Sequence, residues 1–457
     1  MERSGWVGAT AKEIARAVRR GDVSATQVVA DHLDHIRAHE RTLGALRMVR
    51  DVEALAEAEQ VDQQEDLSGA WLAGVPVVVK EHAAVAGLPV WHGSAAARTA
   101  VAEADHEVVR RLRGAGAVVV GLSRMPELGL WATTDDATAV TRNPWHPGRT
   151  PGGSSGGAAA AVAAGLVPLA HGTDGLGSVR IPAACCGLVG LKPGRGSVPR
   201  DLGAGDWFGL VEHGVLATTV ADAVVGFAVL AGKRPAALAE PDRLRVAVSV
   251  RGPTGLPPDG PNRQAVTIAG RALVAAGHDL VRADPAYPVW LSPVGLATWV
   301  AGAYVVAEEV GLPPEAMQPR TRRHAALGRV AWRRGLVREI DRDRWRDRCL
   351  AFLDSYDVLM TPALAAAPPR AVAWHRRTWA ANLVANIRYA PYAAPWNLAG
   401  LPALVVPVGT RPDGLPLAVQ LVGRPGAELL LLAVAGQLER QLPWRRHAPG
   451  WPRWSPA

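Results

Sequence analysis

Residues 74–80 read GVPVVVK, an unbroken apolar run bounded by Gly and Pro at one end and a lone lysine at the other. The run is too short for a buried helix and lacks the alternation of a half-exposed strand, so it suits a strand covered on both faces. Comparable runs recur at "AVVVG" (117–121), "LVPLAHG" (166–172), "LRVAVSV" (244–250) and "HDLVRA" (278–283). Between them lie stretches with helical spacing: "DHEVVRRLRGAG", "GGAAAAVAAG", 218–231 and 262–276. Strands alternating with helices predict an α/β fold, a large mixed β-sheet covered by helices on both faces. Further strand-and-loop segments, "YDVLMTPAL", "PWNLAGLPALVVPVG" and "GLPLAVQLVGRPGAE", precede a final helix.

Two helices open the chain. Thr10 is placed to cap "TAKEIARAVRRG", which stops at Gly21, and Ser24 to cap "SATQVVADHLDHIRAHE". His32, His35 and His39 are read as a polar surface face; His35 and His39 have metal-ligand spacing, but no third ligand accompanies them. The stretch 285–390 differs from the rest, with prolines, tryptophans and the arginine-rich "RTRRHAALGRVAWRRGLVREIDRDRWRDRC", read as exposed helices. No repeat or linker divides the chain, so 1–457 is read as one large domain carrying a variable segment at about 285–390.

The net charge of +8 comes from basic residues that interleave with acids rather than forming a patch, which argues against a nucleic-acid partner. Three cysteines, two adjacent, make neither a disulfide framework nor a zinc site, so no metal or other cofactor is expected. The first residues lack an apolar core of signal-peptide type, and no charge-free run of about 18 apolar residues was read. A cytoplasmic protein without a membrane span is the expectation.

The chemistry concentrates in "RTPGGSSGGAAAAVAAGLVPLAHGTDGLGSVRIPAACCG" (149–187), where Ser154, Ser155 and Ser178 each stand among glycines. A phosphate cradle would need Lys and Ser/Thr after the last glycine, and alanines follow Gly157 instead. Residues 153–157 satisfy the G-x-S-x-G pattern of a nucleophile elbow centred on Ser155. However, "TRNPWHPGRTPGG" upstream has turn rather than strand character, Asp174 is too near in sequence, and His447 lies in a polar tail. A serine nucleophile activated by a neutral lysine is the third reading. Lys80 closes a buried strand, where desolvation would favour the neutral amine, although a lysine at a strand end can also snorkel to water.

"GVPVVVKEHAAVAGLPVWHGS", "RTPGGSSGGAAAAVAAG" and "GTDGLGSVRIPAACCGLVGLKPGRGSVP", in that order and at that spacing, resemble the amidase signature family. The likeness runs from the N-terminal helices to about 435 and weakens between 285 and 385. It implies a Ser–cis-Ser–Lys triad: Ser178 as nucleophile, Ser154 as the bridging serine after a cis Gly153–Ser154 peptide, and Lys80 as base. By the same resemblance Gly175, Leu176 and Gly177 supply main-chain oxyanion donors, and Gly129 and Trp131 face the substrate. Ser155, Asp174 and Arg180 take supporting roles, the last two as a structural pair. Trp396 and Asn397 divide evenly between substrate contact and packing, while Cys185 and Cys186 are core residues. The sequence departs from the family at Leu176, often glycine, and at Glu81 and His82, where an Asp-Asn pair is usual.

The resemblance implies an amidohydrolase cleaving a carboxylic amide of a small molecule through an acyl-enzyme. Its alternatives are the glutaminase-type subunit of a tRNA-dependent amidotransferase and a biosynthetic acyl transferase. The 285–390 segment then faces the substrate, and homodimers are common in such a family.

Overall fold

The computed structural model describes residues 5–97 and 101–451. Eleven strands form one sheet: β1 (Leu46–Val49), β2 (Pro76–Lys80), β3 (Val118–Ser123), β4 (Leu169–Asp174), β5 (Val189–Lys192), β6 (Glu212–Ala217), β7 (Arg245–Val248), β8 (Asp279–Arg282), β9 (Val358–Pro362), β10 (Ala403–Thr410) and β11 (Pro416–Val422). Their order is β1-β3-β2-β4-β6-β5-β10-β11-β9-β7-β8. The β2–β3 and β2–β4 pairs are parallel, whereas β4–β6, β5–β6 and β10–β11 are antiparallel, so the sheet is mixed as expected. Every residue of β2, β3, β4, β5 and β6 is buried, which explains the near-continuous apolar runs of β2 and β3. Helices Gly156–Ala163 and Arg180–Cys186 pack together over one face, and Val220–Leu230, Gly260–Ala275 and Glu428–Gln441 pack over the other.

The opening helices have the expected caps. Thr10 forms a reciprocal capping box with Glu13, Ser24 accepts from Gln27 N–H, and Gly21 closes the first helix in the left-handed region. The histidines of the second helix correct the surface reading. His32 is fully buried with Nδ1 on Val28 O at 2.9 Å, and His35 and His39 pack edge-on to Trp451. His447 is likewise buried rather than part of a polar tail.

The 285–390 segment provides helices Leu291–Glu309, Pro319–Arg333, Glu339–Leu353 and Trp379–Tyr389, with β9 running through it as a fully buried strand. Its helices are less exposed than charge alone suggests. Arg320 is buried and pairs with Asp135 at 3.2 Å, and Trp345 and His324 are buried as well. Leu291–Glu309 is long and apolar enough to cross a membrane by length and composition, a run the sequence reading missed. Half of that stretch is buried inside the protein, where Leu291 and Trp299 join a second apolar core with Trp131, Trp207 and Trp396.

Candidate active site

Lys80 is the last residue of β2 and Asp174 the last of β4, and because these strands are parallel neighbours both residues lie at the same, carboxyl-terminal end of adjacent interior strands. Lys80 is 1 % exposed, so the snorkelling alternative does not hold. Its Nζ lies 2.7 Å from Ser154 Oγ and 3.1 Å from Thr173 Oγ1. Burial pulls the Lys80 amine down to about 7, against the opposing charges of Asp174 and Glu81. Thr173, which sequence reading missed, sits one residue before Asp174 and also lies 3.2 Å from His82 Nε2.

The peptide Gly153–Ser154 is cis. A side chain at Gly153 would begin 2.3 Å from Trp131 O, so only glycine lets this loop lie against 131–133. Ser155 turns the other way: its Oγ contacts Thr173 O at 3.1 Å, and its N–H donates to Ser178 O at 3.0 Å, tying the two serine segments together. Ser178 itself is partly exposed and opens onto the cavity. No hydrogen bond joins its Oγ to Ser154 among the described residues.

Asp174 and Arg180 form a fully buried pair, Nε to Oδ2 and Nη2 to Oδ1 both at 2.9 Å. Burial alone would raise the Asp174 carboxyl, but Arg180 and Asn397 outweigh it and hold the group below the usual carboxylate range. Arg180 also donates to Ala393 O, Gln420 Oε1 and Asn397 Oδ1. Asn397 thus belongs to packing, as does Trp396, which is buried outside this cavity.

Asp174 also fixes the turn before Ser178, accepting from Gly177 N–H at 2.6 Å and from Val179 N–H at 3.1 Å. The Gly177 amide is therefore spoken for, which removes it from the expected oxyanion donors. The amides of Gly175 and Leu176 have no partner among the described residues. Gly177 has φ +120, and an added Cβ would stand 2.6 Å from Ala393 Cβ and 2.7 Å from Ile181 Cδ1. Leu176 points its side chain into the cavity wall. Glu81 faces away from the reacting atoms, with Oε2 accepting from Arg47 Nε at 2.7 Å and Oε1 from Met125 N–H at 2.8 Å.

Ser178 borders a cavity of about 470 Å³ whose walls include Trp131, Leu176, Ile181, Trp207, Leu291 and Trp299. Among the described residues, no Lys, Arg, Asp or Glu lines it. Gly129 lies instead beside Ser154, where an added Cβ would be 3.5 Å from Ser154 Oγ. Trp207, Leu291 and Trp299 were not marked by any local signal, because they reach the site only through tertiary packing.

The Amidase family model matches residues 27–432. The chain belongs to the amidase family. It is an amide-hydrolysing enzyme, and its relatives fit that description. It is 40% identical over 456 residues to a Mycobacterium tuberculosis protein bearing the name amidase AmiB2, covering 97% of this chain and 98% of that protein. It is 32% identical over 481 residues to an acylamidase of Rhodococcus erythropolis, covering 97% of each. The solved structure of a 6-aminohexanoate cyclic dimer hydrolase superposes with a TM-score of 0.87 at 29% identity, covering 97% of this amidase and 98% of that chain.

Proposed function

We propose that this amidase hydrolyses amides of apolar carboxylic acids through an acyl-enzyme on Ser178, with Lys80 as the base acting through Ser154. The observation that carries the reading is a buried amine, neutral for much of the time near pH 7, within 2.7 Å of the Ser154 hydroxyl and sharing a small chamber with Ser178, which also borders the apolar cavity. A neutral Lys80 takes the proton of Ser154, which takes that of Ser178 as its oxygen attacks the carbonyl. The amides of Gly175 and Leu176 receive the developing negative charge. Returning the proton expels the amine, and water repeats the sequence to free the acid. The Ser154–Ser178 link closes with substrate in place, as catalytic hydrogen bonds in unliganded sites commonly do.

The apolar walls support an acyl group that is aryl or alkyl. Glutamine is disfavoured, because among the described residues no charged side chain lines the cavity to meet its α-ammonium and α-carboxylate. The test is labelling with a fluorophosphonate followed by peptide mass spectrometry. The adduct should lie on Ser178, vanish in Ser178→Ala and form at least 100-fold more slowly in Lys80→Ala. An adduct on Ser155 overturns the reading. Product analysis with added amines separates hydrolysis from acyl transfer.

A further inference from the structure

Ser178 and Trp207 border not one space but two. Beside the apolar cavity lies a second space, a chamber of about 30 Å³, with Lys80, His82, His92, Met125, Gly129 and Ser154 among its walls. A single water needs roughly 10–15 Å³ on this measure, so the chamber holds about two molecules of that size.

The tetrahedral intermediate on Ser178 carries three groups that must point in different directions. The acyl chain has room only in the large cavity. The oxyanion faces the amides of Gly175 and Leu176. The departing nitrogen must receive a proton from Ser154, whose hydroxyl borders the small chamber beside Lys80. Resting on the serine relay above, we propose that this chamber is the leaving-group site and that it restricts the enzyme to primary amides, so that the amine released is ammonia. The Ser178 Oγ–carbon bond forms, the carbon–nitrogen bond breaks, and the nitrogen departs as NH₃ with the proton that came from Ser178. Water, nearly the same size, then enters the vacated chamber. Its oxygen bonds to the acyl carbon as the Ser178 ester bond breaks, and its proton returns to Ser178.

Two features of the walls fit this role. Lys80, Ser154 and Thr173 bring polar side chains to the wall, where a molecule of ammonia or water can be held, and His82 Nε2 is engaged by Thr173. His92, Leu128 and Trp207 are non-glycine wall residues held at φ +47, +53 and +47, and Leu128 N–H donates to His92 O at 2.8 Å. Residues in that region persist where their surroundings fix them, so the chamber resists widening.

The experiment compares one acid presented as hexanamide, N-methylhexanamide and hexananilide, measuring released hexanoic acid. We expect kcat/KM to fall more than 100-fold from the primary to the N-methyl amide, with no measurable anilide turnover. His92→Gly, which suits the backbone and opens the wall, should narrow the primary-to-N-methyl ratio at least tenfold. Met125→Ala enlarges the same wall independently should that variant fail to fold. Anilide and primary amide hydrolysed at similar rates would overturn the proposal, as would ratios unchanged in both variants. Because the fluorophosphonate reaction loses only fluoride, normal Ser178 labelling alongside such a result leaves the relay standing, whereas absent labelling refutes the relay itself.

Discussion

Lowering the pH should switch this enzyme off along a limb set by one buried amine. With Lys80 at about 7, the neutral fraction is about 0.9 at pH 8, and about 0.01 at pH 5. Acylation that requires the neutral form should therefore lose about 90-fold in kcat/KM across that range, with a limiting slope of one proton. The surrounding histidines do not add to the slope. Burial takes His92 to about 4 and His213 to about 3, and puts His82 and His171 well below their ordinary value. The assay is initial-rate release of hexanoic acid from hexanamide, read by chromatography between pH 5 and 9.5. Samples held at pH 5 and returned to pH 8 control for unfolding. Glu81→Gln removes one of the charges that favour the ammonium, so its limb should move to lower pH. A profile flat between pH 8 and 5.5, or an inflection above 9, would refute a neutral Lys80 as the base.

The same lysine should leave a mark on stability. Its folded pKa lies below the ordinary 10.5, so the unfolded chain binds the extra proton between about 7 and 10.5, and this group's contribution to stability rises with pH through that window. The shift sets a ceiling of roughly 5 kcal/mol; urea unfolding at pH 6 and 9.5 should show a gain of about 3 kcal/mol in the wild type that Lys80→Met lacks. Gly177→Ala combines a φ of +120 with contacts at 2.6 and 2.7 Å, and should cost about 3 kcal/mol in urea unfolding and more than 100-fold in kcat. Arg180→Met strands the buried Asp174 carboxylate and should destabilise the fold by about 3–5 kcal/mol in the same assay. Trp299→Ala opens the large cavity, and should shift acyl preference toward longer chains by about tenfold, read as kcat/KM over a series of straight-chain amides.

The sheet was legible because its central strands are buried on both sides and therefore spell themselves out in valine, leucine and alanine. β5 and β6 were not, since "VGLK" and "EHGVLA" mix charged and apolar residues whose burial depends on partners across the sheet. Lys80 illustrates the boundary at the site. Its own neighbours permit a surface lysine, and only the ordered glycine-serine segments downstream single it out. Thr173 escaped notice because nothing local marks a threonine that touches a lysine on another strand. Arg320 was read as exposed because a charge looks solvated until its partner, Asp135, is brought to it from 185 positions earlier.

Lys80, Ser154 and Ser178, the proposed proton carriers, stand on the middle of the sheet and the turns it supports. The walls of the large cavity come in good part from the helices Leu291–Glu309 and Trp379–Tyr389, laid against the outside. Reactivity and selectivity are thus carried by separable pieces of one chain. Substitutions on the cavity-facing sides of Leu291–Glu309 and Trp379–Tyr389 should therefore change which acid is accepted while leaving the sheet that carries Lys80 in place.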